Sequence, residues 1–389
     1  MHNMCRLSVA KLVRDFNRFS KRLKSSGERP SAPLGSRFLT NSEDVFKHNM
    51  WDHVQWTEED KENARQKAEV NSSVQIPLNE QGTFDTDACQ YWDRFYKVHQ
   101  DKFFKDRKWL LLEFPELLPS AAKSCVIHRC EGDQEAEMSL PTGSSMEPVT
   151  RHHQRSGAPG STDTSAGQTD CKGEALENTE SSKQTPTFPG QQSSFRIFEV
   201  GCGVGNSVFP IIESIKETDA FLYCCDFSPC AIQLVKNHPD YDASVCHAFV
   251  NDVCEEMSSF PFPPQSLDVI LAVFVLSSIH PERLQGVVDR LSTYLKHGGI
   301  FLFRDYGRYD FSQLRFKKGR CLSENFYTRG DGTCVYFFTK EEVHNLFSEA
   351  GLQEIQNLED RRLQVNRGKK VVMHRVWMQS KYRKPYKKT

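Results

Sequence analysis

FRIFEVGCGVGN, residues 195–206, joins a short apolar run to a turn with glycines at 201, 203 and 205. Glycine lets a chain turn sharply and lets a ligand approach the backbone where a Cβ would block it. Apolar runs then recur along the chain: AFLYCC (220–225), VCHAFV (245–250), LDVILAVFV (267–275) and GIFLF (299–303). Strands that are apolar almost throughout belong to sheets covered on both faces. Between them lie helical patterns, over Ser228–Asn237 after a Ser-Pro start and over Pro281–Lys296, where His297-Gly298-Gly299 suits a left-handed cap. Thr339-Lys340-Glu341-Glu342 opens a further helix that closes at Ala350-Gly351, and Val371–Met378 reads as a last strand. Alternating strands and helices predict a doubly wound α/β sheet.

Ligands in such sheets bind outside the carboxyl ends of the strands. Asp226 ends the second strand, where a carboxylate can accept from ribose hydroxyls. Asn251-Asp252 ends the third, within reach of an adenine amino group. Leu271-Ala272-Val273 lies in the fourth, where small apolar side chains can border an adenine. The glycine turn alone decides nothing, because dinucleotide oxidoreductases and phosphate-binding proteins share it. Asn206 takes the place of the last glycine of G-x-G-x-x-G, and Glu199 stands two residues before the first. A glycine turn followed by acids at the ends of the next two strands is the more specific signal.

Working outward, residues 1–37 carry nine Lys/Arg against Asp15 and Glu28, for +7. Leu12, Phe16, Phe19 and Leu23 recur at helical spacing there, the pattern of a mitochondrial presequence; a basic RNA-binding arm shares the composition. Residues 38–120 are rich in aromatics and charge. Trp92 and Tyr96, four apart, share a helix face, an arrangement that core packing uses as readily as a ligand clamp. Residues 131–187 hold no Ile, Phe, Trp or Tyr, so segment 121–190 reads as a linker. Residues 361–389 carry eleven Lys/Arg and no acid, with 381–389 as a basic tail. The net charge of -1 thus conceals two basic ends around -19 for residues 38–360, and does not exclude a nucleic-acid partner. No stretch approaches ~18 apolar residues, which excludes a membrane-spanning helix. The 13 cysteines contain no C-x-x-C and read as free thiols in a reducing compartment. Cys125, His128 and Cys130 have metal-like spacing but no partner pair, so no metal is expected.

Residues 190–380 resemble the class I S-adenosylmethionine-dependent methyltransferases, a Rossmann-like fold. Five further runs narrow the resemblance. They are Phe103–Arg107 (FFKDR), Trp109–Glu116 (WLLLEFPE), Arg304–Asp310 (RDYGRYD), Gln313–Lys318 (QLRFKK) and Asp360–Arg367 (DRRLQVNR). Together they are similar to the methyltransferase-like family that forms 3-methylcytidine in tRNA. The resemblance implies S-adenosyl-L-methionine as cofactor, held by Trp92, Tyr96, Gly201, Gly203, Asp226 and Asp252, with an apolar contact near Ala272. It implies a methyltransferase domain over 191–380 and an N-terminal helical extension that closes over the cofactor and helps bind tRNA. It also implies action on an anticodon-loop cytidine, position 32 in the mitochondrial forms, and a seryl-tRNA synthetase as partner. Mitochondrial matrix is the compartment expected, with a cytoplasmic or nuclear form as the alternative.

Methyl transfer to cytosine N3 needs no strong base, since N3 carries an in-plane lone pair; alignment does most of the work. The product base is cationic, so a carboxylate should stabilise it. Asp305, after the fifth strand, is the first candidate and Asp310 the second. The target must be unpaired or flipped, and held by stacking. Arg304, Tyr306, Arg308, Arg315, Lys317 and Lys318, with Phe104, Lys105, Arg107, Arg361 and Arg362, are the candidate RNA contacts. A methyltransferase for proteins or small molecules, a non-catalytic RNA-binding subunit and an oxidoreductase are the competing readings.

Overall fold

The computed structural model describes residues 35, 37–119 and 188–387. The expected presequence, most of the expected linker, and Cys125, His128 and Cys130 lie outside the described residues. Among those described, the strands are β1 (Met50–Trp51), β2 (Phe195–Val200), β3 (Ala220–Asp226), β4 (Cys246–Val250), β5 (Leu267–Val273) and β6 (Leu295–Tyr306), then β7 (Cys321–Ser323), β8 (Phe326–Thr328), β9 (Cys334–Tyr336), β10 (Gln353–Asn366) and β11 (Val371–Arg383). The α-helices are α1 (Glu58–Ser72), α2 (Leu78–Thr86), α3 (Ala88–His99), α4 (Leu110–Glu113), α5 (Val208–Ile215), α6 (Pro229–Asn237), α7 (Leu284–Tyr294), α8 (Phe311–Leu314) and α9 (Lys340–Glu349).

Eight strands form one sheet in the order β1-β10-β11-β6-β5-β2-β3-β4. Pairings from β6 through β4 are parallel, while β11 runs antiparallel to β6 and β10 antiparallel to β11. The order turns back between β2 and β5, and that switch point puts a crevice at the carboxyl ends of both. One sheet face packs Phe198, Tyr223, Phe301 and Phe303 against Leu291 of α7 and Phe347 of α9. The other packs Ile197, Leu222 and Leu271 against Ile211 of α5 and Ile232 of α6. Ser228 caps α6, and a Thr339–Glu342 capping box starts α9.

The N-terminal extension is part of this core. Leu110, Phe114 and Leu117 are fully buried in the second cluster, each worth about 1.5–3 kcal/mol on burial. β1 adds an edge strand beside β10, and Thr57 begins α1 with a capping box to Asp60.

Three boundaries differ from the sequence reading. The helix over Pro281–Lys296 ends at Tyr294, because Leu295 is already extended, so Gly298 caps nothing. Its φ of +83° falls in the irregular start of β6, where its N–H donates to Lys384 O. The basic tail begins later than residue 381, since β11 runs to Arg383 and Lys381 Nζ is 2.8 Å from Glu116. Pro189 and Gly190 belong to the fold, accepting from Tyr223 and Arg196. No described helix is long and apolar enough to cross a membrane. The described cysteines are free and half to fully buried.

Candidate active site

The glycine turn leaves β2 with Gly201 at φ +61° and Gly203 at φ +55°. A Cβ on Gly201 would stand 2.2 Å from Val275 Cγ2, and one on Gly203 would stand 3.0 Å from the Tyr96 hydroxyl. The backbone is therefore bare where it passes Val275 after β5 and Tyr96 of α3. Asp226 fixes the turn: one carboxylate oxygen accepts from Gly203 N–H at 2.9 Å, the other from Ser228 N–H at 2.9 Å. Burial raises its pKa to about 6, while those two N–H groups favour the anion.

Helix α3 is docked onto the same edge. Asp93 accepts from the Ser228 hydroxyl and from Cys230 N–H, and Cys89 Sγ donates to Phe227 O at 3.3 Å. Trp92 and Tyr96 lie with ring centroids 5.6 Å apart over the turn. Asn206, in place of glycine, uses its side-chain amide to donate to Phe104 O at 3.3 Å, while its backbone carbonyl accepts from Arg107 N–H at 2.7 Å.

Two cavities open along this edge. The first, about 130 Å³, is lined by Asp85, Cys89, Asp226, Asn251, Asp252 and Arg283 among others. The second, about 300 Å³, lies beyond it under Phe104, Trp109, Tyr306, Arg315 and Trp377. Trp92, Tyr96, Gly201, Phe274 and Ser278 border both, so a ligand filling the first reaches the second past them. Acids at the ends of two strands, a bare glycine turn and an aromatic pair suit an adenosine with a polar tail. The residues present thus fit S-adenosylmethionine, which supplies a methyl on a cationic sulfur. Among the described residues, no group of three His, Cys, Asp or Glu could hold a metal.

Six of the seven proposed cofactor residues line these cavities, Gly203 the second only. Ala272 does not. It is fully buried in the sheet core, and Val273, the next residue, borders the second cavity instead. Adjacent residues of a strand point to opposite faces, so a one-residue shift exchanges core for cavity. Phe274 was missed. It takes φ +58° just after β5, a conformation that nothing in an apolar run announces.

Both candidate carboxylates are enclosed. Asp305 is fully buried, accepting from Ser277 N–H at 2.9 Å and from Tyr306 N–H. Burial raises its pKa to about 6, and it borders neither cavity. Asp310 is spent on structure: it caps α8 through Ser312 and holds Arg375 at 2.8 Å and Val376 N–H at 2.9 Å.

Several candidate RNA contacts prove to be internal. Arg304, 1% exposed, lies between the Trp109 and Trp377 rings, 5.0 and 4.9 Å from their centroids, and pairs with Asp360 at 2.6 Å. Arg362 is buried against Asp360 and Glu113. Arg308 pairs with Glu342 at 2.8 Å, and Arg361 pairs with Glu359 beside the Trp56 ring. Arg107 donates to the Ser207 hydroxyl, and burial lowers its pKa. Lys105, Arg315, Lys317 and Lys318 are exposed, and Phe104, Lys105, Tyr306 and Arg315 line the second cavity.

Glu199 is fully buried beneath the turn with Arg107 Nη1 3.7 Å away. Burial raises its pKa to about 7, against the pull of Arg107. Between the unfolded value near 4.5 and about 7 the folded protein holds a proton that the unfolded chain releases, so stability falls as pH rises through that window. Glu199→Gln should flatten that decline in denaturant melts from pH 5 to 8 and leave the variant more stable than the parent at pH 8.

A mixed sheet that turns back at a glycine turn, with a cavity lined by Asp226 and Asp252 beside a second one, has the form of a class I S-adenosylmethionine-dependent methyltransferase. A family model described as a methyltransferase domain matches residues 198–301. The chain belongs to the family of tRNA N(3)-cytidine methyltransferases. It is 49% identical over 365 residues to the tRNA N(3)-cytidine methyltransferase METTL2 of Danio rerio, covering 93% of this chain and 92% of that one. It is 47% identical over 274 residues to the human enzyme METTL8, mitochondrial, covering 66% of this chain and 91% of that one. A solved methyltransferase from Methanosarcina mazei is 16% identical with a TM-score of 0.36, over 49% of this chain and 93% of that one.

Proposed function

We propose that this protein, an S-adenosylmethionine-dependent tRNA cytidine-N3 methyltransferase, acts on the cytidine at position 32 of the anticodon loop. One observation supports the reading above others: the cavity lined by Asp226 and Asp252 shares Trp92, Tyr96 and Gly201 with a second cavity of about 300 Å³ rimmed by aromatic and basic side chains. Trp92, Tyr96, Gly201, Gly203, Asp226 and Asp252 would hold the cofactor. N3 of an extruded cytosine then needs only to be held in line with the methyl carbon, and positioning of this kind supplies up to ~7–11 kcal/mol of the barrier. No base is required, because the N3 lone pair is already free. Phe104 and Tyr306, both half-buried at the cavity wall, offer faces for stacking.

Phosphate contacts fall to the exposed loop after α8. Changing Lys317, Lys318 and Arg320 together to Gln should lower the slope of log affinity for tRNA against log salt by about 2–3, with cofactor binding unchanged. An unaltered slope would place the tRNA on another face.

Residues 38–119 act as both lid and tRNA platform in this reading. The basic amphipathic start is proposed as a mitochondrial presequence, supported by its composition and by the compartment in the human relative's name. A seryl-tRNA synthetase is proposed as partner on the family resemblance. Deletion of the gene followed by mass spectrometry of tRNA nucleosides tests the compartment. Loss of 3-methylcytidine from mitochondrial tRNA alone supports import, and loss from cytosolic tRNA alone overturns it.

A further inference from the structure

Methylation at N3 converts a neutral cytosine into a cation: the N3 lone pair forms the new C–N bond, and the S–C bond breaks with its electron pair left on sulfur. The positive charge spreads over N3, C4 and N4 until an N4 proton leaves to solvent. More positive than negative side chains border the second cavity: Arg107, Arg304 and Arg375 stand beside Glu199, Asp360 and Asp310, but Lys105, Arg315 and Arg329 border it as well. Asp305 and Asp310 do not reach it. Among the residues that line it, Asp331 is the single carboxylate.

Asp331 sits in the turn between β8 and β9. Thr333 donates to its Oδ1 twice, from the backbone N–H at 3.0 Å and from the hydroxyl at 2.7 Å. Arg329 Nη1 braces the same turn, donating to Thr333 Oγ1 at 3.2 Å and Cys334 O at 3.0 Å. Both bonds to the carboxylate fall on one oxygen, so Oδ2 remains able to accept from a ligand. Resting on the tRNA-methyltransferase reading, we propose that Asp331 is a specificity-determining residue whose free oxygen accepts the N4–H of the target cytosine and balances the charge that develops on it. A uracil presents O4 at that place, lone pair against carboxylate, and carries a proton on N3. Asp331 therefore selects for cytosine at the step that makes the cation.

The test is a two-by-two comparison of single-turnover methylation. The enzyme is wild type or Asp331→Asn, which keeps an Oδ1 acceptor for the turn. The tRNA carries either cytidine at the target or the analogue lacking the 4-amino group. Either change alone should slow the reaction by roughly 10- to 100-fold. Both together should slow it little more than one, with cofactor affinity by calorimetry unchanged. Thr333→Val, which removes a brace but keeps the carboxylate, should cost less than Asp331→Asn. Multiplying losses, a wild-type rate for Asp331→Asn, or equal losses for Thr333→Val would overturn the inference. If the wild-type enzyme forms no 3-methylcytidine on the unaltered tRNA, the parent reading fails as well.

Discussion

Asp226→Ala should weaken S-adenosylmethionine binding by about 100-fold and abolish methylation. The carboxylate does two things at once. It holds the glycine turn through Gly203 N–H and the start of α6 through Ser228 N–H, and it lines the adenosine cavity where ribose hydroxyls would donate. Removing it leaves two N–H groups without their acceptor and the ribose without a partner. Calorimetry reads the loss directly. In the parent, cofactor affinity should also fall as pH drops below about 6, because Asp226 takes up a proton there and can no longer accept as an anion. Affinity within threefold of the parent would remove Asp226 from the cofactor site.

Arg304→Met carries the second large effect, and it is on stability. The guanidinium is held between two tryptophan rings and tied to Asp360 and Gln379 inside the sheet. Breaking a buried ion pair by deleting one member costs ~3–5 kcal/mol. The expected loss is at the low end, about 3 kcal/mol, because Arg362 still pairs with Asp360. Denaturant melts measure it. The salt dependence of tRNA binding should stay as it was, since Arg304 is 1% exposed and already paired with Asp360. A fully stable variant with a shallower salt slope would return Arg304 to the set of phosphate contacts.

The strands were legible because their near-continuous apolar runs allow little else, and the placing of Asp226 and Asp252 at a cavity was legible because strand ends are where a doubly wound sheet binds ligands. Position 272 was misread for the same reason the strand was easy: LDVILAVFV is apolar on both faces, so it does not say which residue faces the cavity. The basic residues failed differently. Arg304, Arg308 and Arg362 look like an RNA surface in sequence, but Asp360, Glu342 and Glu113 neutralise them inside the fold. Those partners are 56, 34 and 249 residues away, or two in the case of Arg362 with Asp360. Long-range pairing of that kind leaves no local pattern. Asp305 follows an apolar run in sequence, but the alternation of β6 turns it toward Ser277 and away from the cavity. The Arg329–Thr333 turn gave only a weak sign, two glycines around an aspartate.

The most direct measurement uses purified protein, methyl-labelled S-adenosylmethionine and tRNA, with and without added seryl-tRNA synthetase, followed by nucleoside mass spectrometry. The label should appear as 3-methylcytidine from one anticodon-loop cytidine, and should vanish with Asp226→Ala. Label in any other nucleoside, or none under either condition, would contradict the assignment.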